Sequence, residues 1–107
     1  MHAGTNVREN SMRVLAIDPG YDRLGVAVVE GNPSKPLLVW SECVTPPQGV
    51  REMRLAYVHD TISRVAKEYA PDFFAIESLY FSTNKKTALG VAEARGAALA
   101  AASTAGL

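Results

Sequence analysis

Residues 13–30 read RVLAIDPGYDRLGVAVVE. The apolar run 13–18, closed by Pro19-Gly20, has the pattern of a buried strand meeting a turn. Residues 24–30, LGVAVVE, form a second apolar run. The connection 19–23 has hairpin length, which predicts antiparallel pairing of the two strands. Working outward, Gly31-Asn32-Pro33-Ser34 supplies the next turn, and 36–44 (PLLVWSECV) reads as a third strand with Trp40 and Val44 on one face. A three-strand antiparallel meander results.

After the break at 46–49 (PPQG), Leu55, Val58, Ile62, Val65 and Tyr69 recur at helical spacing. This predicts a helix over about 50–69, with Arg51, Glu52, Arg64, Lys67 and Glu68 largely on its wet side. Pro71 ends it. Residues 72–77, DFFAIE, are apolar on both faces, the pattern of a strand buried in the middle of a sheet under helices, and they are expected to run parallel to the first strand. Residues 78–86 read as a loop, and from Thr87 onward an Ala-rich helix follows. Gly90 and Gly96 within it suggest close helix packing. The fold class is therefore α/β: meander, helix, parallel central strand, helix. Residues 1–11 are polar and turn-rich, the mark of a flexible extension or of a true start at Met12 instead of Met1, which leaves 12–107 as the folded domain.

The 107 residues carry 11 basic and 11 acidic side chains, and 48% are hydrophobic. A core of useful size is affordable, since independent folding becomes difficult only below about 40 to 60 residues. The single Cys43 excludes an internal disulfide and a cysteine zinc site, and points to a reducing compartment and an inert packing role. No apolar run reaches the ~20 residues of a membrane span, and the N-terminal residues lack the order of a signal peptide, so a cytoplasmic protein with no membrane partner is expected. Zero formal net charge means that nucleic-acid binding needs a local basic patch.

If the first and fourth strands are parallel neighbours joined by a right-handed crossover, their carboxyl ends share one edge of the sheet. Asp18 closes one and Glu77 the other. With adjacent strands ~4.8 Å apart, both carboxylates can converge on one point. Two anions so close repel unless a proton or a cation lies between them, and magnesium suits hard oxygen ligands and activation of water. The plainer reading gives Asp18 an Asx-type turn before Pro19-Gly20 and leaves Glu77 a strand-end residue in water.

The stretch IDPGYDRLGVAVVE (17–30) resembles the opening hairpin of the RuvC-type crossover junction endodeoxyribonucleases, the Holliday junction resolvases. Residues 71–102, PDFFAIESLYFSTNKKTALGVAEARGAALAAA, resemble that family's central strand, loop and helix. The resemblance implies a ribonuclease H-like mixed sheet, a homodimer, magnesium-dependent hydrolysis with two ions per complete active site, paired nicks in four-way DNA junctions during recombination and repair, and a branch-migration motor complex as partner. It places Asp18 and Glu77 as catalytic metal ligands. Tyr80, with Phe81 beside it, would stack on bases opened at the junction. Lys85 and Lys86 would hold backbone phosphate, and Arg95 would contact phosphate or pair with Glu93 or Asp72.

Such resolvases add two further ligands from a later helix beyond a fifth strand, whereas nothing after Glu93 here is acidic. The expectation is a C-terminally truncated nuclease, lacking the last strand and helix, with doubtful activity of its own and with strand 72–77 left as a bare edge. Two other readings are a non-catalytic junction-binding protein and a phosphate-binding ATPase or kinase-like fragment, in which DPGYDRLG would be the phosphate loop.

Overall fold

A computed structural model describes residues 12–20, 22–32, 34–77 and 85–107, with the backbone alone for 85 and 86. The 1–11 extension, Tyr80 and Phe81 lie outside the described residues. Strands β1 (Met12–Pro19), β2 (Leu24–Asn32) and β3 (Lys35–Val44) are followed by helix α1 (Arg51–Tyr69), strand β4 (Phe73–Ile76) and helix α2 (Lys85–Thr104). The sheet order is β3-β2-β1-β4. β1–β2 and β2–β3 are antiparallel, while β1–β4 is parallel with Ile17 beside Ile76. The meander and the parallel crossover are thus those expected from the sequence.

The period-two pattern of β1 and β2 explains which face is covered. Leu15, Ile17, Leu24, Val26 and Val28 are buried, and Val58, Ile62, Val65, Ala98 and Ala101 of the two helices pack over them. Apolar residues on alternate strand positions meet apolar stripes at helical spacing, so one core forms between sheet and helix layer. The alanines of α2 keep that layer thin. In contrast to the expectation of close packing at its glycines, Gly96 is exposed and a Cβ there would meet nothing within 4 Å. The close approach is made by Ala94, Ala98, Ala101 and Ala102.

β4 takes the bare edge that the resemblance implies for this chain, not the middle of the sheet that its apolar pattern alone suggests. It is an edge strand, not a central one, and its outward residues are not covered: Phe73 is 50% exposed. Phe74 and Ile76 meet the core, whereas Phe73 and Ala75 share the open face. The apolar residues of both faces were legible, but the neighbours that would cover the second face and edge are not among the described residues. Lys85 and Lys86, expected in a loop, lie in the first turn of α2.

Two local features set the active-edge geometry. At the β1–β2 turn the Gly20 N–H donates to the Arg23 carbonyl at 2.7 Å, and a Cβ on Gly20 would lie 2.7 Å from that same oxygen, so a glycine is needed there. At the other end of β1, the Arg13 N–H donates to Asp72 Oδ2 at 2.9 Å and the Asp72 N–H donates to the Arg13 carbonyl at 2.7 Å, which fixes where β4 begins.

Candidate active site

Asp18 lies at the end of β1, opposite Gly25 of β2, and Glu77 is the first residue beyond β4. Because Ile17 pairs with Ile76, the next step along both strands sets Asp18 and Glu77 side by side. The parity of the pleat gives them the open face, opposite to the one that buries Ile17. Both residues are exposed.

Their carboxyl groups interact directly. The Glu77 carboxyl is held above its ordinary value of 4.5, chiefly by a hydrogen bond to Asp18, then by the Asp18 charge and lastly by partial burial. Among the described residues no lysine or arginine forms an ion pair with either carboxylate. A shared proton is what two adjacent carboxylates adopt when no cation lies between them. The donor set fits a magnesium-like ion: hard carboxylate oxygens, at a sheet edge open to solvent and able to leave other coordination positions to water. No group of three or more metal-ligating side chains occurs among the described residues.

Gly25 keeps this place open. A Cβ on Gly25 would stand in van der Waals contact with the Asp18 Cβ at 3.4 Å, so a side chain there would occupy the ground beside the carboxylate that the glycine leaves free. The carboxylate pair borders a shallow depression whose other wall is Ser41, Glu42 and Cys43 of β3. Sequence reading missed this wall. Its signal lay in the hairpin register, Asp18 to Gly25 to Cys43, but a bulge at Val28/Val29 makes the register of β3 unreadable from turn length alone. Cys43 is correspondingly a free, exposed thiol, not the inert packing residue expected.

A more enclosed cavity of about 380 Å³ lies behind the hairpin turn, among Leu24, Leu55, Val58 and Leu89. Two of its three arginines are matched, Arg54 with Asp22 at 3.4 Å and Arg51 with Glu93 at 3.6 Å, and Arg23 also lines it.

Arg95 does not pair with Glu93, which faces Arg51, or with Asp72, which is bonded to the Arg13 N–H. Its Nε donates instead to the Glu77 backbone carbonyl at 3.2 Å. The sequence had placed Arg95 near DNA phosphate but gave no sign of this bond, which depends on the path between β4 and α2. His59 lies on α1, 3.3 Å from Asp60, remote from the pair in the sequence and in the fold.

The family model of the crossover junction endodeoxyribonuclease RuvC matches residues 14–107. A RuvC of Thermomicrobium roseum is 41% identical over 88 residues, covering 82% of this chain and 54% of the relative. A solved structure of T. thermophilus RuvC in complex with Holliday junction substrate superposes with a TM-score of 0.80 at 33% identity, covering 90% of this chain and 60% of that one. A PPX-GPPA enzyme of Aquifex aeolicus, at 14% identity and a TM-score of 0.55, shares the fold alone. The chain spans about half the length of the curated relatives it matches. The described sheet and helices are a partial ribonuclease H-like fold of the kind seen in the solved RuvC structures. With the match extending from β1 through α2, the chain belongs to the RuvC family of crossover junction endodeoxyribonucleases.

Proposed function

We propose that this chain carries the first two metal ligands of a nuclease that resolves four-way DNA junctions by hydrolysing phosphodiester bonds. The observation that carries the reading is the convergence of Asp18 and Glu77, side by side at the shared end of two parallel strands, with the Glu77 carboxyl pushed up by Asp18 beside it. A magnesium ion bound there supplies charge neutralisation for the phosphodiester and lowers the pKa of bound water. Asp18 and Glu77 hold it, Gly25 leaves space for the approaching strand, and the open sheet edge admits a backbone too bulky for the enclosed cavity. The family's activity supports two ions per complete site, a homodimer that makes paired nicks, cooperation with a branch-migration motor, and action in the cytoplasm. No helix among the described residues is long and apolar enough to cross a membrane.

Lys85 and Lys86 open α2 just beyond the carboxylates in the chain, a placement that suits phosphate contact. Tyr80, with Phe81 beside it, comes three residues after Glu77 in the sequence, and in this reading it stacks on an unpaired base, a contact worth ~1 to 3 kcal/mol. Two carboxylates hold a metal loosely. Since an ångström of misplacement costs about 100-fold in rate, the 107-residue chain alone is expected to give no specific cleavage.

The test is a chimera in which residues 14–107 replace the matching part of the Thermomicrobium roseum relative. The expected result is magnesium-dependent cutting of a synthetic four-way junction, abolished by Asp18→Asn or Glu77→Gln while junction binding persists. Near-normal cutting by either variant would contradict the metal assignment. Junction binding without cutting by the unsubstituted chimera would favour a non-catalytic binding role.

A further inference from the structure

We infer that Arg95 is a positioning residue for the metal site: by bonding the Glu77 backbone it sets the Glu77 carboxylate against Asp18. This rests on the reading of the two carboxylates as cation ligands.

The need for such a brace follows from where Glu77 sits. The β1–β4 ladder ends at Ile17 and Ile76, so Glu77 is one residue past the sheet's last register pair. Asp18, by contrast, lies within the β1–β2 ladder, paired with Gly25. One carboxylate is thus held by strand pairing and the other is not. The Glu77 carbonyl accepts a hydrogen bond from Arg95 Nε at 3.2 Å, across a separation of 18 residues in sequence.

The arm that makes this bond starts from a fixed base. Its flanking residue Ala94 and the next-turn residue Ala98 are buried against the core, at 8% and 0% exposure. α2 is thereby locked to α1 and the sheet, and a hydrogen bond from its surface ties the end of β4 to it. Among the described residues the Glu77 carbonyl is the sole hydrogen-bond partner of the Arg95 guanidinium, and Glu93 is engaged with Arg51 instead. The side chain is therefore not explained as one half of a surface ion pair.

Charge and geometry make opposite demands on this residue, and that separates the inference from a purely electrostatic effect. A guanidinium close to a cation site repels the cation, so losing its charge alone would tighten binding. Losing a brace loosens binding, and removal of partners that orient metal ligands typically weakens affinity about 10- to 100-fold.

The experiment measures the Mn²⁺ dissociation constant of the 107-residue chain from the electron paramagnetic resonance signal of free Mn²⁺, for wild type, Glu77→Gln, Arg95→Ala and Arg95→Gln, with circular dichroism to verify folding. Glu77→Gln is expected to weaken binding strongly, and both Arg95 variants to weaken it about tenfold or more with helix content unchanged. Arg95→Gln serves if Arg95→Ala does not fold. Unchanged or tighter binding in a folded Arg95 variant, with Glu77→Gln still weakened, overturns the positioning role and leaves the carboxylate site standing. An unchanged constant in Glu77→Gln overturns that site itself and this inference with it.

Discussion

The two ends of β1 treat charge in opposite ways. At Arg13 the guanidinium bonds Glu30 Oε2 through Nε at 2.9 Å and Nη2 at 2.6 Å, and donates from Nη1 to the Tyr69 carbonyl at 2.6 Å. Glu30 is buried at 6% exposure, yet its charge is matched within the fold. At Asp18, in the same strand, a carboxylate faces a second carboxylate, and the Glu77 carboxyl is pushed up by its neighbour. One end fastens α1 and β4 to the sheet. The other keeps an electrostatic conflict that a divalent cation would relieve, which is how a binding site differs from a structural contact of the same residue types.

The sharpest way to break this contrast is at the satisfied end. Arg13→Met removes the ion pair from the buried Glu30 and is expected to cost about 3 kcal/mol, near the lower limit for a broken buried pair because the Arg13 side chain is itself 22% exposed. Urea unfolding measures it. The double change Arg13→Met with Glu30→Leu should recover most of the loss, because no uncompensated charge remains.

Cation linkage comes next in size. Magnesium at ten times its dissociation constant is expected to stabilise the wild-type chain by about 1.4 kcal/mol, and Asp18→Asn should lose that gain. Thermal melts with and without the ion read both numbers.

A smaller effect follows from proton linkage in the absence of metal. The folded chain holds the Glu77 proton more tightly than the unfolded chain, whose value is near 4.5. The stabilising contribution is therefore complete below about pH 4.5 and is lost as pH rises through the higher folded value. At neutral pH the pair opposes folding, so Asp18→Asn is expected to raise the melting temperature slightly at pH 7 and to lose that advantage at pH 4. The smallest change concerns the wall of the depression: the exposed Cys43 thiol should react with a thiol reagent at nearly the same rate in native and unfolded protein.

The contrast also marks what was legible in the sequence. The RVLAID and LGVAVVE runs determined β1, β2 and their hairpin because period and turn chemistry are local. Asp18 and Glu77 were found through topology, since a parallel crossover brings two strand ends to one edge whatever the details between them. FFAI by itself suggests a central strand, because it reads the same whether or not a neighbour covers it; the bare edge of β4 was expected only from the resemblance, which places a further strand beside it. The Arg95 bond was not foreseen for a related reason: a side chain bonded to a backbone carbonyl leaves no complementary residue type to find. Cys43 was missed through the register of β3, which the bulge shifts by one residue.

The central claim, that Asp18 and Glu77 together form a cation site, is tested most directly by paramagnetic broadening of backbone amide signals as Mn²⁺ is added to the isotope-labelled chain. The expected result is early, selective loss of the signals of Asp18, Gly25, Cys43 and Glu77, with Arg13, Glu30 and Tyr69 unaffected, and no such selectivity in Asp18→Asn. Broadening spread evenly over the acidic surface, or centred on Glu30 at the other end of β1, would contradict it.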